Sequence, residues 1–359
     1  MKSYALYRLP YAERYTAIVS EREAETLSSV SEVGERQGFL VAPFSACHDH
    51  PILLIQPDSI TEHTVNDGRV EAAEENIHNS QGQVAAEESL QGNVFPSERA
   101  TASYRDAFHC FHDAVSDGRF RKLVLSRSKT IATAEGEKPE RLFLRACAAF
   151  PRLMIMLFHT RQSGTWLIAS PEILLEKTGD MWHTVALAGT MPYSEGLPEW
   201  SSKNKAEQHV VEEYISQTIT PFARQTIKDG PFTIRAGNVQ HLRTDFRFTP
   251  QHSAEDITGE ILSRLHPTPA VCGMPKSEAR DFILTHEPHD REYYSGFAGP
   301  LNIGCGTHLY VSLRCARLCG GSMTLFAGGG IMPESICEAE WQETEQKMKT
   351  ISCIATKKM

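Results

Sequence analysis

The segments LMIMLF (153–158), TWLIAS (165–170) and HTVALAG (183–189) follow one another along the chain, and each is short and mainly apolar. Short apolar runs that contain β-branched or aromatic residues are typical of buried strands. Consecutive strands without a long helix between them do not fit a strict alternation of strand and helix. The sequence therefore predicts an α+β fold, in which blocks of strands form packed sheets and helices lie outside them.

Six further strands are predicted on either side of this block: GFLVAPFS (38–45), PILLIQ (51–56), RKLVLSRSKTI (121–131), NVQHLRTDFRF (238–248), LYVSLRCARL (309–318) and MTLFAG (323–328). Helices are predicted from about Ser97, over 139–149, over 203–219, on both sides of HPTPA (266–270), and from about Pro333. Residues from about Asp58 to Ser97 are mostly polar and small, which predicts a mobile excursion over 58–98 rather than a core element.

The composition limits the possible partners. The chain has 359 residues, 41% of them hydrophobic, and a net charge of −9, which disfavours a nucleic-acid partner. No run approaches the ~20 apolar residues of a membrane helix, and the first residues lack the apolar core of a secretory signal. The nine cysteines show no zinc-site spacing, which favours reduced thiols and a cytoplasmic location.

Two predicted helices carry carboxylates next to their apolar faces. Glu207 is in line with Val211 and Ile215 on the amphipathic helix 203–219, and Glu340 and Glu343 lie one turn apart near the C-terminus. The apolar stripe of that second helix consists of Trp341, Thr344, Met348 and Ile351. A buried carboxylate is costly unless it is paired or binds a metal. A pair with Lys or Arg at the rim of the core is one explanation, and a Mg²⁺ site is the other.

The strand predicted over 309–318 contains a second unusual residue. With a period of two, Arg314 shares one face with Tyr310, Ser312 and Ala316, so that the guanidinium has space above small neighbours for a bound carboxylate. The glycine run AGGGI (327–331) is predicted to be a turn between a strand and a helix. Such a turn either presents backbone N–H groups to an anion or is simply a tight turn.

Nine motifs occur in the order that is seen in chorismate-utilising enzymes, and the chain resembles this family over roughly residues 100–355. They are LVLSR (123–127), ASPEILL (169–175), LAGT (187–190), KAEQH (205–209), LHPTPAVCG (265–273), EPHDREYYSG (287–296), LRCARL (313–318), AGGGI (327–331) and EWQET (340–344). The family includes isochorismate, salicylate, anthranilate and aminodeoxychorismate synthases. The resemblance implies a single domain over 1–359, with strands in 1–57 completing the fold and a catalytic core over 99–355.

The resemblance also implies a site. It makes Glu207 and Glu343 ligands of a Mg²⁺ ion that holds the ring carboxylate of chorismate, with Glu340 in a supporting position. It assigns the enolpyruvyl carboxylate to Arg314 and to the N–H groups of Gly328, Gly329 and Gly330, where Gly329 replaces the more usual alanine. The remaining substrate-contacting positions that it implies are Ala188, Gly189, Thr190, His241, Ala270, Tyr294 and Lys347.

Within the family, four positions favour isochorismate synthesis. Lys122 stands where the water-using members carry a base, and Glu172 stands where they carry a general acid. Taken alone, Lys122 reads as a solvated lysine at a strand end. Ala188 replaces the lysine nucleophile of aminodeoxychorismate synthases, and Ala270 replaces the threonine that is common in salicylate synthases. The resemblance thus predicts an isomerase that feeds menaquinone or siderophore synthesis, with salicylate synthase as the alternative.

Two other classes of function fit less well. A catalytically silent chorismate-binding protein is expected to have lost Lys122, Glu172, Glu207 or Glu343, and all four residues are present. An interaction protein would use the polar segment 58–97, for which composition provides no support. We predict a monomer that acts on a small molecule, without a glutamine amidotransferase subunit and without a membrane or nucleic-acid partner.

Overall fold

Two nine-stranded sheets form the centre of the computed structural model, which describes residues 2–65, 97–196, 198–237, 239–251, 257–304 and 306–356. The strands are β1 Ser3–Arg8, β2 Arg14–Ser20, β3 Glu25–Leu27, β4 Gly38–Ala42, β5 Ile52–Ile55, β6 Ser59–Thr64, β7 Lys122–Ala132, β8 Met154–Thr160, β9 Gly164–Ser170, β10 Ile173–Thr178, β11 Met181–Pro192, β12 Ala223–Ala236, β13 Val239–Pro250, β14 Gly273–Met274, β15 Phe297–Leu301, β16 Gly306–Val311, β17 Cys315–Cys319 and β18 Ser322–Ile331. The helices are α1 Ser97–Ser116, α2 Pro139–Ala149, α3 Ser202–Ile219, α4 Ile257–Leu265, α5 Lys276–His286 and α6 Cys337–Thr356.

The first sheet has the strand order β14-β7-β18-β17-β9-β8-β1-β2-β6, and the second has β12-β13-β11-β10-β16-β15-β4-β5-β3. Neighbouring strands pair antiparallel throughout both sheets. The predicted α+β fold with two packed sheets is therefore confirmed. Among the described helices, none has both the length and the apolar composition needed to cross a membrane.

Apolar side chains of both sheets meet in a central layer that includes Phe39, Phe158, Trp166, Leu187 and Tyr293. Helices cover the outer faces. Helices α3 and α4 pack on the second sheet, and α2 and α6 pack on the first. This layering brings the N-terminal turns of α3 and α6 to the same end of the sandwich as the glycine-rich end of β18. The fold thus determines where the functional side chains meet.

The prediction of one continuous strand over 309–318 is wrong. The chain leaves the second sheet after β16 and enters the first sheet at β17, and Arg314 lies at the change of sheet with a left-handed φ of +48°. The alternation that placed Arg314 on one face with Ser312 and Ala316 therefore does not hold. A run of ten strand-favouring residues conceals this switch, because periodicity does not reveal which sheet a strand joins.

The glycine run AGGGI is also not a turn. Residues 327–331 continue β18 and pair in register with residues 127–123 of β7. Two smaller differences concern the ends of predicted elements. Residues 59–64, which were predicted to begin the polar excursion, form the exposed edge strand β6, whereas residues 66–96 lie outside the described part of the chain. The helical spacing of Ala206 with Val210 and Val211 predicts that it belongs to the apolar stripe of α3, but Ala206 is exposed.

Candidate active site

A cavity with an empty volume of about 570 Å³, part of it open to solvent, lies between the glycine-rich end of β18, helix α3 and strands β11 and β13. Thirteen residues that were predicted to act in the site line it: Glu172, Ala188, Gly189, Thr190, Glu207, His241, Ala270, Tyr294, Arg314, Gly328, Gly329, Gly330 and Lys347. The structure therefore brings together side chains that the sequence distributes over 176 positions, from residue 172 to residue 347.

Lys122 lies behind the cavity wall at the beginning of β7. Its side chain is 0% exposed, and its Nζ is 3.0 Å from Oε1 of Glu207. The interpretation of Lys122 as a solvated lysine at a strand end is therefore wrong. Burial alone would raise the pKa of Glu207, but Lys122 and Lys203 outweigh this effect and lower it. Glu207 is thus a buried carboxylate that remains ionised.

Each predicted carboxylate ligand has a lysine partner. Besides the Lys122–Glu207 pair, Lys203 contacts Glu340, and Lys347 Nζ lies 2.6 Å from Glu343 Oε1. Within the described ranges, no group of three or more His, Cys, Asp and Glu side chains is arranged to hold a metal ion. The ion pairing that the sequence left open as an alternative is therefore present at all three carboxylates.

The same carboxylates nevertheless have the chemistry that a magnesium ion requires. Glu340 is 2% exposed, and its Oε2 atom is buried without a hydrogen-bond partner. Burial raises the pKa of Glu340, and the neighbouring carboxylate of Glu343 raises it further. Magnesium is bound by one or two carboxylates, with water and substrate completing its shell. The oxygen donors of Glu207, Glu340 and Glu343 thus match the ligand chemistry of magnesium, although among the described residues they are not grouped around a common point.

Glycines in β18 make room for these carboxylates. A Cβ atom built on Gly330 would lie 2.2 Å from Glu207 Oε1 and 2.8 Å from Lys122 Cε. A Cβ on Gly329 would lie 2.9 Å from Glu340 Oε2 and 3.4 Å from Glu343 Oε1. The glycines are therefore needed because side chains approach the strand closely, and not because the chain turns there.

Glu172 follows β9 and lines the cavity, and only 2% of its surface is exposed. Burial raises the pKa of Glu172 to about 8, although the cations Lys122, Lys347 and Arg314 act in the opposite direction. Its Oε1 atom is buried without a hydrogen-bond partner. At neutral pH Glu172 is therefore mainly protonated, and it is available to donate a proton inside the cavity.

Arg314 is held by the backbone and by one histidine. Its Nη2 donates to Nε2 of His241 over 2.7 Å, and its Nη1 contacts the Ala236 carbonyl and the Thr350 hydroxyl, each at 3.3 Å. Nδ1 of His241 donates to the Gly189 carbonyl over 2.9 Å. Burial and the Arg314 cation lower the pKa of His241, so its ring is neutral and carries its proton on Nδ1. These contacts give Arg314 one fixed orientation against the cavity.

Several residues of the site were not predicted. The apolar wall consists of Val124, Pro171, Leu187, Val271, Leu313, Phe326 and Ala327. These residue types are common in strands and loops, so no local sequence pattern indicates that they belong to the site. Lys203, the partner of Glu340, was missed as well. The nearest signal was its position one turn before Glu207 on α3.

A buried proton donor, a guanidinium held by hydrogen bonds and an ionised carboxylate line one cavity, an arrangement typical of an enzyme site for a small organic anion. The family model described as "Chorismate binding enzyme" matches residues 47–354. The chain belongs to this family.

Isochorismate synthases are among its relatives. The chain is 33% identical over 246 residues to isochorismate synthase MenF of Escherichia coli, which covers 65% of the chain and 55% of that protein. It is 33% identical over 277 residues to the salicylate biosynthesis isochorismate synthase of Pseudomonas aeruginosa, which covers 73% of the chain and 56% of that protein. The chain thus spans little more than half the length of these two relatives.

The fold is shared with solved structures at low sequence identity. The structure of Escherichia coli MenF aligns with a TM-score of 0.76 at 21% identity, covering 99% of this chain and 89% of that chain. Anthranilate synthase component I of Streptococcus pneumoniae aligns with a TM-score of 0.67 at 16% identity, covering 98% and 92%. These similarities establish the fold that the resemblance implied.

Proposed function

We propose that the chain is an isochorismate synthase, which converts chorismate to isochorismate with Mg²⁺ as cofactor. The observation that carries the proposal is a buried pair of groups suited to acid–base chemistry, with Glu172 lining the cavity and Lys122 directly behind its wall. Glu172 is protonated at neutral pH by burial, and Lys122 is wholly buried close enough to lower the pKa of Glu172. Named relatives that are isochorismate synthases support the same assignment.

The reaction adds one water and releases another. Water attacks C2 of the ring, the double bonds shift, and the C4 hydroxyl leaves. Lys122 is the proposed base that accepts a proton from the attacking water. Glu172 donates a proton to the departing hydroxyl, so that it leaves as water. Since one base and one acid are needed, the buried Lys122 and the protonated Glu172 together meet the requirement.

Binding of the two carboxylates of chorismate uses two regions of the cavity. Arg314 offers a guanidinium that is fixed by His241 and by the Ala236 carbonyl, and this geometry suits one carboxylate. Glu207, Glu340 and Glu343 would hold magnesium, which when bound neutralises the ring carboxylate and orients the ring. An acidic protein thereby acquires a local site for a dianion.

Two cavity residues distinguish this proposal from other activities of the family. Ala188 lines the cavity where a lysine nucleophile would be required for aminodeoxychorismate synthesis, and Ala270 lines it where salicylate synthases carry threonine. The pathway is proposed only as menaquinone or siderophore synthesis, since the relatives of the chain include a menaquinone-specific and a vibriobactin-specific isochorismate synthase. We further propose a cytoplasmic enzyme that is active as a monomer without an amidotransferase subunit.

The proposal is tested by incubating the purified full chain with chorismate and Mg²⁺, with and without EDTA, and resolving the products by chromatography. Isochorismate that accumulates only in the presence of magnesium, without pyruvate, is the expected result. Salicylate together with pyruvate would instead identify a salicylate synthase, and anthranilate formed in a parallel incubation with added ammonia would identify an amine-using enzyme. Either result would overturn the proposal.

Replacing Glu343 by Gln is expected to weaken the binding of magnesium and the binding of chorismate together. The change removes the charge of one proposed ligand and its pair with Lys347, while the side-chain volume is preserved. We expect the magnesium concentration for half-maximal activity to rise ~10-fold or more, since loss of a ligand or its support commonly costs 10–100-fold in metal affinity. Glu338→Gln, on the exposed side of the same helix, is the control. A Glu343→Gln magnesium titration that overlays the wild type would remove Glu343 from the ligand set.

Adding a methyl group at Gly330 is expected to inactivate the enzyme, whereas the same change at Gly329 is expected to be tolerated. The Cβ of Gly330→Ala would occupy the place of the Glu207 carboxylate and displace Lys122. We expect kcat/KM to fall about 100-fold, because even a small displacement of a reacting group can cost that much in rate. At Gly329, where the family more often carries alanine, a Cβ meets only the ends of the Glu340 and Glu343 side chains, so kcat/KM should stay within about 3-fold of wild type. Equal activity of the two variants would contradict the packing described for β18.

A further inference from the structure

Gln208 is a buried side chain next to the cavity for which the proposed chemistry has no use. It follows Glu207 on α3 and is 1% exposed. Its amide does not point into the cavity but towards strand β11. Oε1 accepts a hydrogen bond from the Ala188 N–H over 2.7 Å, and Nε2 donates to the Ala186 carbonyl over 3.1 Å. The side chain therefore bonds to the backbone of β11 as a neighbouring strand would.

Strand β11 needs such a partner at this point. Its ladder with β10 covers only residues 181–183, so beyond His183 it pairs regularly with β13 alone. Ala186 and Ala188 are two residues apart, so their backbone groups face the same edge of the strand. The register with β13 shifts directly afterwards, between Ala188 and Thr190. Gln208 thus fixes Ala186 and Ala188 just before an irregularity in the strand.

That irregularity places a carbonyl that orients the anion-binding residue. Gly189 has a φ of +65°, and a Cβ built on it would lie 3.1 Å from the Asn204 carbonyl on α3. Its own carbonyl accepts from Nδ1 of His241, and this bond leaves Nε2 free to accept from Arg314. The orientation of Arg314 therefore depends on where α3 holds β11.

The geometry points to Gln208 as a positioning residue for carboxylate recognition, acting through Gly189 and His241 on Arg314. An amide is required because the strand edge presents one donor and one acceptor. A carboxylate would satisfy the Ala188 N–H but would face the Ala186 carbonyl and the nearby Glu212, whose Oε1 is 3.4 Å from Nε2. An apolar side chain would leave both buried backbone groups without a partner. The inference rests on the proposed function, because it takes chorismate as the anion.

The test is the kinetics of Gln208→Met in the magnesium-loaded full chain. Met keeps the length of the side chain but has neither the donor nor the acceptor. Because Arg314 binds a group that does not react, we expect KM for chorismate to rise about 10-fold while kcat changes less than about 3-fold. Gln208→Glu, a second variant that retains the acceptor for Ala188, is also expected to raise KM. Thr184→Val is the control, because it removes a buried hydrogen bond from the same strand to the Leu174 carbonyl, remote from Arg314.

A double-mutant cycle distinguishes a role of Gln208 in positioning Arg314 from a purely structural role of Gln208. In an Arg314→Lys background, where the guanidinium fork is already lost, Gln208→Met is expected to raise KM less than about 2-fold further. Equal increments in the two backgrounds, or a wild-type KM in Gln208→Met, would reduce Gln208 to a structural contact and overturn the inference. A wild-type chain that does not turn over chorismate would instead overturn the proposed function itself.

Discussion

Replacement of Lys122 by Met is expected to abolish turnover of chorismate while the protein remains folded. The side chain is 0% exposed, and its Nζ is the atom that accepts a proton from water in the proposed reaction. Loss of a general base lowers kcat by ~10²–10⁴-fold. We expect the upper part of this range, because Lys122 also orients the Glu207 carboxylate 3.0 Å away. Binding of chorismate should persist, since Arg314 is untouched.

Lys129→Met provides a matched control for this prediction. Lys129 lies on the same strand, but its side chain is 46% exposed and pairs with Glu345 outside the cavity. Its replacement should leave kcat and KM at wild-type values, because exposed ion pairs contribute little. Single-turnover assays of both variants, together with thermal unfolding curves, measure the difference. If Lys122→Met kept most of the wild-type kcat, Lys122 would not be the base.

Replacement of Glu172 by Gln is the second change with a large expected effect. Gln has the same shape but has no proton to donate, so the C4 hydroxyl would have to leave without protonation. Loss of a general acid is expected to reduce kcat by ~10²–10⁴-fold. Chorismate binding should change little, because the group that is replaced is already neutral in the folded protein at pH 7.

The pH dependence of kcat/KM tests the protonation state of Glu172 separately. Burial raises the pKa of Glu172 to about 8, so the proton needed for catalysis is present below about pH 8 and is lost as the pH rises through that value. In the wild type, kcat/KM is therefore expected to decline on the alkaline side near pH 8. The residual activity of Glu172→Gln should lack this decline. A wild-type profile that is flat between pH 7 and pH 9 would exclude Glu172 as the acid.

The layers of the fold were predictable because they follow from patterns of apolar residues. Strands β7, β8, β9 and β11 were predicted to within a few residues, and so was helix α3. The change of sheet at Arg314 was not predictable, because the residues on both sides favour strands and the period of two continues through them. What interrupts the strand is a left-handed backbone at Arg314, which depends on contacts with α6 and β12 that are distant in sequence.

The positions of the site residues were predictable only through the family motifs. Local patterns revealed that Glu207, Glu340 and Glu343 lie beside apolar stripes, but they did not reveal the partners. The structure adds that each carboxylate pairs with a lysine from another turn or strand. It also shows that β18 has glycines because Glu207 and Lys122 approach its backbone. Such pairings are set by tertiary contacts, so a single sequence does not contain them in readable form.

The most direct test of the proposed reaction is to carry it out in water enriched in ¹⁸O and to analyse the product by mass spectrometry. If Lys122 activates water for attack at C2 and Glu172 releases the C4 hydroxyl, isochorismate will carry one solvent oxygen, located at C2. Recovered chorismate at early times will provide the unlabelled reference. Isochorismate formed without solvent oxygen would contradict the account, because the hydroxyl would then have moved within the substrate and no attacking water would be involved.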